Sequence, residues 1–161
     1  MMSLMRVRHQ MHYPSPPDEV FEMLADPEFR EDVCIEIHST GTRVEIDRLG
    51  SSMSVLVVHR QGTDDIPAFA KKMVGDEIVI EQHETWQTPT RADLEIAIPG
   101  KPGHLRGTIV LEPEGEGTVE TIEGDLKVNV PLIGGRIESL VADLMVSAMA
   151  AEERVGRRRL A

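Results

Sequence analysis

Few side chains in this sequence stand in a pattern that chemistry requires. His9 and His12 are three positions apart, but the run Met5–Tyr13 alternates as a strand does, so their side chains leave opposite faces and cannot chelate one ion. Cys34 is the sole cysteine, which removes an intrachain disulfide and any cysteine-cluster metal site. It follows Asp32 and Val33 with no basic group adjoining it in the chain, and reads as a small packing residue rather than a nucleophile.

Glu84 presents a choice. Ile78, Ile80, Gln82, Glu84 and Trp86 share one strand face, while Val79, Glu81, His83 and Thr85 share the other. If the Trp86 face is interior, Glu84 is an inward carboxylate that needs a partner or a raised pKa, and so a candidate acid or base. If twist or a bulge seats Trp86 in the core, Glu84 sits at the rim, and this is the simpler expectation. His9 lies on an apolar face and could line a cavity, although a histidine bonded to a neighbouring group is the commoner outcome. His9, Glu84 and Arg106 are the polar groups from which a proton-moving enzyme would draw.

No Gly-x-Ser-x-Gly elbow, Walker loop, dinucleotide fingerprint or His-Glu-x-x-His occurs, so neither a cofactor, a resident metal nor a catalytic set is expected. Gly134-Gly135 lacks the lysine and the earlier glycine of a phosphate loop and suits a chain turning into a helix.

The elements that would position these groups follow from periodicity. Met5–Tyr13 puts Val7, His9, Met11 and Tyr13 on one side and Arg6, Arg8, Gln10 and His12 on the other. Ser15-Pro16-Pro17-Asp18 signals a helix start with Ser15 as cap, and Asp26-Pro27-Glu28 repeats the signal for a second short helix carrying Phe29, Val33 and Ile37. Strand patterns recur at Arg43–Arg48, Met53–Arg60, Glu77–Gln87, Ala92–Ile98, Leu105–Glu112 and Val119–Val130, spaced too closely for parallel crossovers. Ile66–Met73 does not alternate and is expected to be a loop or a single helical turn. From Pro131 the period changes: Ile133, Ile137, Leu140, Val141, Leu144, Met145, Ala148 and Val155 recur at helical intervals. Gly107 and Gly124, inside strands, suggest bends.

Composition narrows the classes. A chain of 161 residues with 40% hydrophobic and 28% charged residues is that of one globular domain, 1–161. The formal charge of -11 repels phosphate backbones, so no nucleic acid is expected as a partner. Arg154, Arg157, Arg158 and Arg159 gather where a C-terminal helix ends, and complement its dipole. The start, Met1–Arg6, has no signal-peptide pattern, and no apolar run reaches the length of about 18 residues that spans a bilayer, so no integral membrane association and a cytoplasmic location are expected. Aromatic residues make up only 3%, leaving an interior of aliphatic chains and some of the nine methionines.

The order of strand, two short helices, strands and long helix, with Tyr13-Pro14-Ser15 leading into Asp18-Glu19-Val20-Phe21 and the later Ala25-Asp26-Pro27, resembles the START-like superfamily of polyketide cyclases, lipid-transfer domains and pollen-allergen-like proteins. Val130–Glu138, Glu84-Thr85-Trp86 and the turn Pro99–Gly103 are similar to a bacterial domain-of-unknown-function family within it. The resemblance covers nearly the whole chain. It implies an α+β helix-grip fold, in which a curved antiparallel sheet of about seven strands wraps a long C-terminal helix, with two short helices after the first strand. It also implies a cavity between sheet and helix that commonly receives apolar compounds, without implying one activity.

Strand parity and helix face then nominate Val7, His9, Met11, Leu94, Ile96, Leu105, Ile109, Leu140, Leu144 and Ala148 as cavity-lining residues. The expected partner is an apolar small molecule, lipid or polyketide-like, bound or carried. A cyclase- or dehydratase-like enzyme using the same cavity and a protein-interaction module are the alternatives. Ligand identity and oligomeric state are not legible in the residues.

Overall fold

The computed structural model describes residues 3–101, 103–130 and 134–161. Its first strand, β1 (Ser3–Tyr13), buries Val7, Met11 and Tyr13 and exposes Arg6, Arg8, Gln10 and His12, as the alternation requires. Six strands follow: β2 (Gly41–Leu49), β3 (Ser52–Gly62), β4 (Glu77–Thr88), β5 (Arg91–Ala97), β6 (His104–Glu114) and β7 (Gly117–Val128). Every neighbour pair is antiparallel, and the order across the sheet is β1-β7-β6-β5-β4-β3-β2. The last six strands are thus a meander to which β1 adds beside β7.

The sheet curves, and two glycines face each other within it. Gly107 and Gly124 stand opposite each other in the β6–β7 register. A Cβ on Gly107 would run into the Glu123 carbonyl, and one on Gly124 into the Arg106 carbonyl, so no side chain fits at either position.

Helix α1 (Pro17–Leu24) begins after Pro16 and has no side-chain cap. The expected Ser15 cap is therefore corrected. The helix starts late enough that Ser15 precedes the cap position, and its carbonyl instead accepts from Thr118 Oγ1 at 2.7 Å. In α2 (Pro27–Glu36) the expected cap is present: Asp26 accepts from the Glu28 N–H at 2.9 Å. Ile66–Met73 is more than a single turn. Its later part forms α3 (Ala68–Val74), which ends at Gly75 with φ 82°, a left-handed angle that glycine takes without strain.

The period change after residue 130 becomes α4 (Gly134–Leu160), 27 residues long. Pro131, Leu132 and Ile133 lie outside the described residues. α4 crosses the concave side over β1 and β7 and meets α2. Its final arginines reach acids on α2: Arg158 and Arg154 pair with Glu36 at 2.9 and 3.3 Å, and Arg159 pairs with Asp26 and, at 3.6 Å, Asp32. Arg157 donates to the His12 carbonyl at 3.2 Å. Positive charge here favours the helix C-terminus and also fixes where that end sits.

Large rings enter the core where α1 and α2 close one end of the sheet. Phe21 meets Trp86 edge-on with ring centroids 5.6 Å apart, and Phe29, Met11, Leu24, Leu105 and Ile109 are fully covered around them. Among the described residues, no helix is long and apolar enough to cross a membrane.

Candidate functional site

Away from that end, a cavity of about 210 Å³ lies between the sheet and α4. Its existence follows from where the few rings go. Phe21, Phe29, Trp86 and Tyr13 are packed toward the α1–α2 end, and Phe69 lies under the Arg136 guanidinium, 4.2 Å from its ring centre. None of these rings lines the cavity. Aliphatic side chains from β4, β5, β7 and α4 form the wall, and Met73, Met145 and Met149 supply adaptable surface. Leu144, 41% exposed, and Lys101 on the turn after β5 mark the side that opens to solvent.

Of the residues nominated from the sequence, Leu94, Ile96, Leu140, Leu144 and Ala148 line this cavity. Val7, Met11, Leu105 and Ile109 are buried in the core without reaching its wall, and His9 is half-buried and likewise absent from it. Strand parity tells which face a residue takes. It does not tell where along the strand the covering helix lifts away.

The Glu84 expectation is corrected. Glu84 is not at the rim: it is 2% exposed and receives a two-pronged ion pair from Arg30, with Nη1–Oε2 at 2.7 Å and Nη2–Oε1 at 2.8 Å. Trp86 Nε1 and Gln82 Nε2 also donate to it, at 2.8 and 2.6 Å, while Arg30 Nε donates to the Leu24 carbonyl. Burial pushes the Glu84 pKa upward, but the Arg30 charge and the four donated hydrogen bonds outweigh it and hold the group below the ordinary carboxylate value. Burial likewise opposes the Arg30 charge, and Glu84 more than restores it. Glu84 is therefore a fully committed anion that ties α2 to β4. The three groups named for acid–base work do not converge: Arg106 is exposed and faces Glu95 at 3.8 Å, and His9 lies off the cavity.

Other buried polar groups escaped the sequence. Glu120, on β7, alternates in register with Ile122 and Leu126 and is 1% exposed. Its carboxyl lies beside that of Glu152 on α4, and two buried carboxyl groups so placed repel each other unless one keeps its proton. Burial first, then mutual repulsion, raises the pKa of Glu120, and burial raises that of Glu152. Tyr13 donates to Glu152 at 2.7 Å, its own pKa pushed far up by burial and by the Glu152 charge. Glu152 and Arg30 both show at the cavity wall. Parity with Ile122, and the spacing of Glu152 from Ala148, were the signals that could have found this pair.

His59, in step with Val55 and Val57 on β3, also lines the cavity. It is 8% exposed, its Nδ1 has no partner, and burial lowers its pKa, so the ring is neutral near pH 7. Cys34 is buried on the same wall. Arg30 does act on it from the preceding helical turn, but burial dominates and raises the thiol pKa, which leaves it inert as a nucleophile. Among the described residues, no group of three His, Cys, Asp or Glu could hold a metal ion.

Comparison with known proteins places this architecture. The family described as a protein of unknown function (DUF2505) matches residues 8–160. The chain belongs to this family. The uncharacterized protein Rv0481c of Mycobacterium tuberculosis is 24% identical over 109 residues, covering 64% of this chain and 63% of that protein. The chain thus spans less than two thirds of the length of the curated relatives it matches.

Among solved structures, a START superfamily protein from Mycobacterium smegmatis superposes with a TM-score of 0.59 at 12% identity, over 97% of this chain and 99% of that one. The di-domain ARO/CYC StfQ of the steffimycin biosynthetic pathway gives a TM-score of 0.67 at 11% identity, over 98% of this chain and 50% of that one. At such identities the likeness is one of fold. The chain is START-like, with the α+β helix-grip architecture its sequence implied.

Proposed function

We propose that this chain binds or carries an apolar small molecule in the cavity between the sheet and α4. The observation that carries the reading is an aliphatic cavity left unfilled because the protein's rings are placed elsewhere. A dry engineered cavity of about 150 Å³ takes benzene, so 210 Å³ suits roughly eight or nine non-hydrogen atoms, with a longer ligand extending past Leu144. Leu94, Ile96, Leu140, Leu144 and Ala148 are the proposed contact residues.

The decisive experiment is mass spectrometry of an organic extract of the purified, denatured protein, paired with thermal-shift measurements over lipids and polyketide-like aromatics. A recurrent hydrophobic compound that raises Tm is the expected result. Consistently empty extracts with no shift across the panel would overturn the reading.

A second reading, a proton-transferring enzyme of the cyclase or dehydratase kind, draws on Glu152, a carboxyl whose pKa burial raises and which reaches the cavity. Under it, Glu152→Gln abolishes turnover of the extracted compound while its binding persists. Loss of binding, or retention of turnover, would count against that role.

A further inference from the structure

His59 is the unexplained feature of the cavity wall. Native interiors leave few buried polar atoms without partners, because such an atom has given up water and gained nothing. Its Nδ1 is in that position, on a side chain that is 8% exposed and belongs to the cavity wall. The surroundings are patterned. His59 pairs with Ile80 and Val57 with Gln82 across β3–β4, which makes Gln82 a diagonal neighbour of His59 on the same face. Gln61 lies two residues further along β3 and also lines the cavity. Gln82 gives one of its two amide N–H groups to Glu84 at 2.6 Å, so it still offers its carbonyl oxygen, an acceptor, and one N–H. The wall opposite, on α4, is Leu140, Leu144, Met145 and Ala148. The sheet thus sets a short polar strip, His59, Gln61 and Gln82, among its aliphatic residues and opposite these apolar side chains of α4.

We infer that the ligand carries a neutral hydroxyl, held by His59 and Gln82 on the sheet, with its apolar body lying beneath α4. This rests on the cavity-binding reading above and narrows it. A hydroxyl both donates and accepts, so it can accept from Nδ1–H and give its proton to the Gln82 carbonyl, or, in the other imidazole tautomer, give its proton to Nδ1 and accept from the remaining Gln82 N–H. A carboxylate only accepts, and would bring a charge to a site with no cation to spare: Arg30 is already paired with Glu84, and Lys101 stands at the opening. An ammonium only donates, and its complement in this cavity is Glu152, not His59.

The test compares one skeleton with four substituents: naphthalene, 2-naphthol, 2-naphthoate and 2-naphthylmethylammonium, titrated into the full chain at pH 7. 2-Naphthol is expected to bind about tenfold more tightly than naphthalene, the gain of one well-formed hydrogen bond, and more tightly than either ion. His59→Leu should bring naphthol and naphthalene to within about twofold of each other. In wild-type protein, which needs no variant to fold, the ¹⁵N resonance of His59 Nδ1 should move with 2-naphthol and stay in place with naphthalene. Naphthalene bound as tightly as naphthol, a preference that survives His59→Leu, or tightest binding by either ion would each overturn this inference and leave the cavity reading standing. No binding by any of the four, together with an empty extract, would overturn both.

Discussion

Arg30→Met removes the cation from the buried Arg30–Glu84 pair while keeping a long apolar side chain in its place. The side chains are 5% and 1% exposed, so water cannot take over solvation of Glu84. Truncating one partner of a pair buried to this extent costs about 3–5 kcal/mol. At about 2–4 °C per kcal/mol for a domain of this size, Tm should fall by roughly 6–20 °C.

The pH dependence gives the argument its sign. In wild type the folded pKa of Glu84 lies below its usual value of 4.5, so its contribution is present above that pH and is lost as pH falls through the folded value. In Arg30→Met only the Trp86 and Gln82 hydrogen bonds still oppose burial, and the folded pKa rises. Stability is then lost as pH climbs above about 4.5, because the folded state must hold a proton that the unfolded state releases. The gap between wild type and variant should therefore be small near pH 4 and widen toward pH 7.

Urea unfolding followed by the fluorescence of Trp86, the single tryptophan and itself a donor to Glu84, measures this directly. Arg30→Met/Glu84→Leu should be more stable than Arg30→Met alone, since both charges are gone. A destabilisation below about 1 kcal/mol, or one that does not change with pH, would refute the assignment of Glu84 as an anion held by Arg30.

Glu120→Gln should stabilise the protein by on the order of 1 kcal/mol at pH 7.5 and by nothing at pH 4. The amide gives Glu152 a permanent donor where a carboxyl had to retain a proton, and equal stabilities at both pH values would contradict the retained proton. Gly156→Ala places a Cβ 2.5 Å from Tyr13 Cε1 and 3.0 Å from Met23 Cε, and should cost about 1–3 kcal/mol in chemical denaturation. A neutral result would mean that α4 shifts freely at this point. Ile96→Trp, at the cavity wall, should fold and lose the thermal shift that ligand gives wild type, which for ligand at 100 times Kd is about 2.7 kcal/mol of stabilisation. An unfolded variant would indicate a filled core there, and an undiminished shift would place the ligand elsewhere.

Much of this was legible because period is local. Alternation in Met5–Tyr13 and the change to helical spacing after residue 130 are written in consecutive residues, and they set the faces of β1 and α4 without reference to anything distant. The same logic put Leu94 and Ile96 on the concave face. What stayed hidden depends on pairing across the chain. Arg30 and Glu84 are 54 residues apart, and nothing beside Glu84 reveals that an arginine on α2 will meet it. Glu120 and Glu152 each sit on an otherwise apolar face. Either alone reads as an error of phase, and only together do they make a pair of neighbouring buried carboxyls. The cavity is equally nonlocal, since it arises from how five rings are distributed in space.

The arginine clasp at the end of α4 has a mechanical corollary. A helix of 27 residues is about 40 Å long, and its described ion pairs with Glu36, Asp26 and Asp32 are all made within its last two turns. Tyr13 presses against Gly156 in the same stretch, while toward the other end Arg136 rests on the face of Phe69. The described ion pairs of α4 are thus gathered at its carboxyl end, and a tilt of the helix that kept them would pivot there. A tilt of about 3° about that pivot displaces the first turn by roughly 2 Å, without parting a single arginine from its acid. The span between Ile137 and Ala148 lies on the long arm, so the girth of the space beneath it can change at little cost to the clasp.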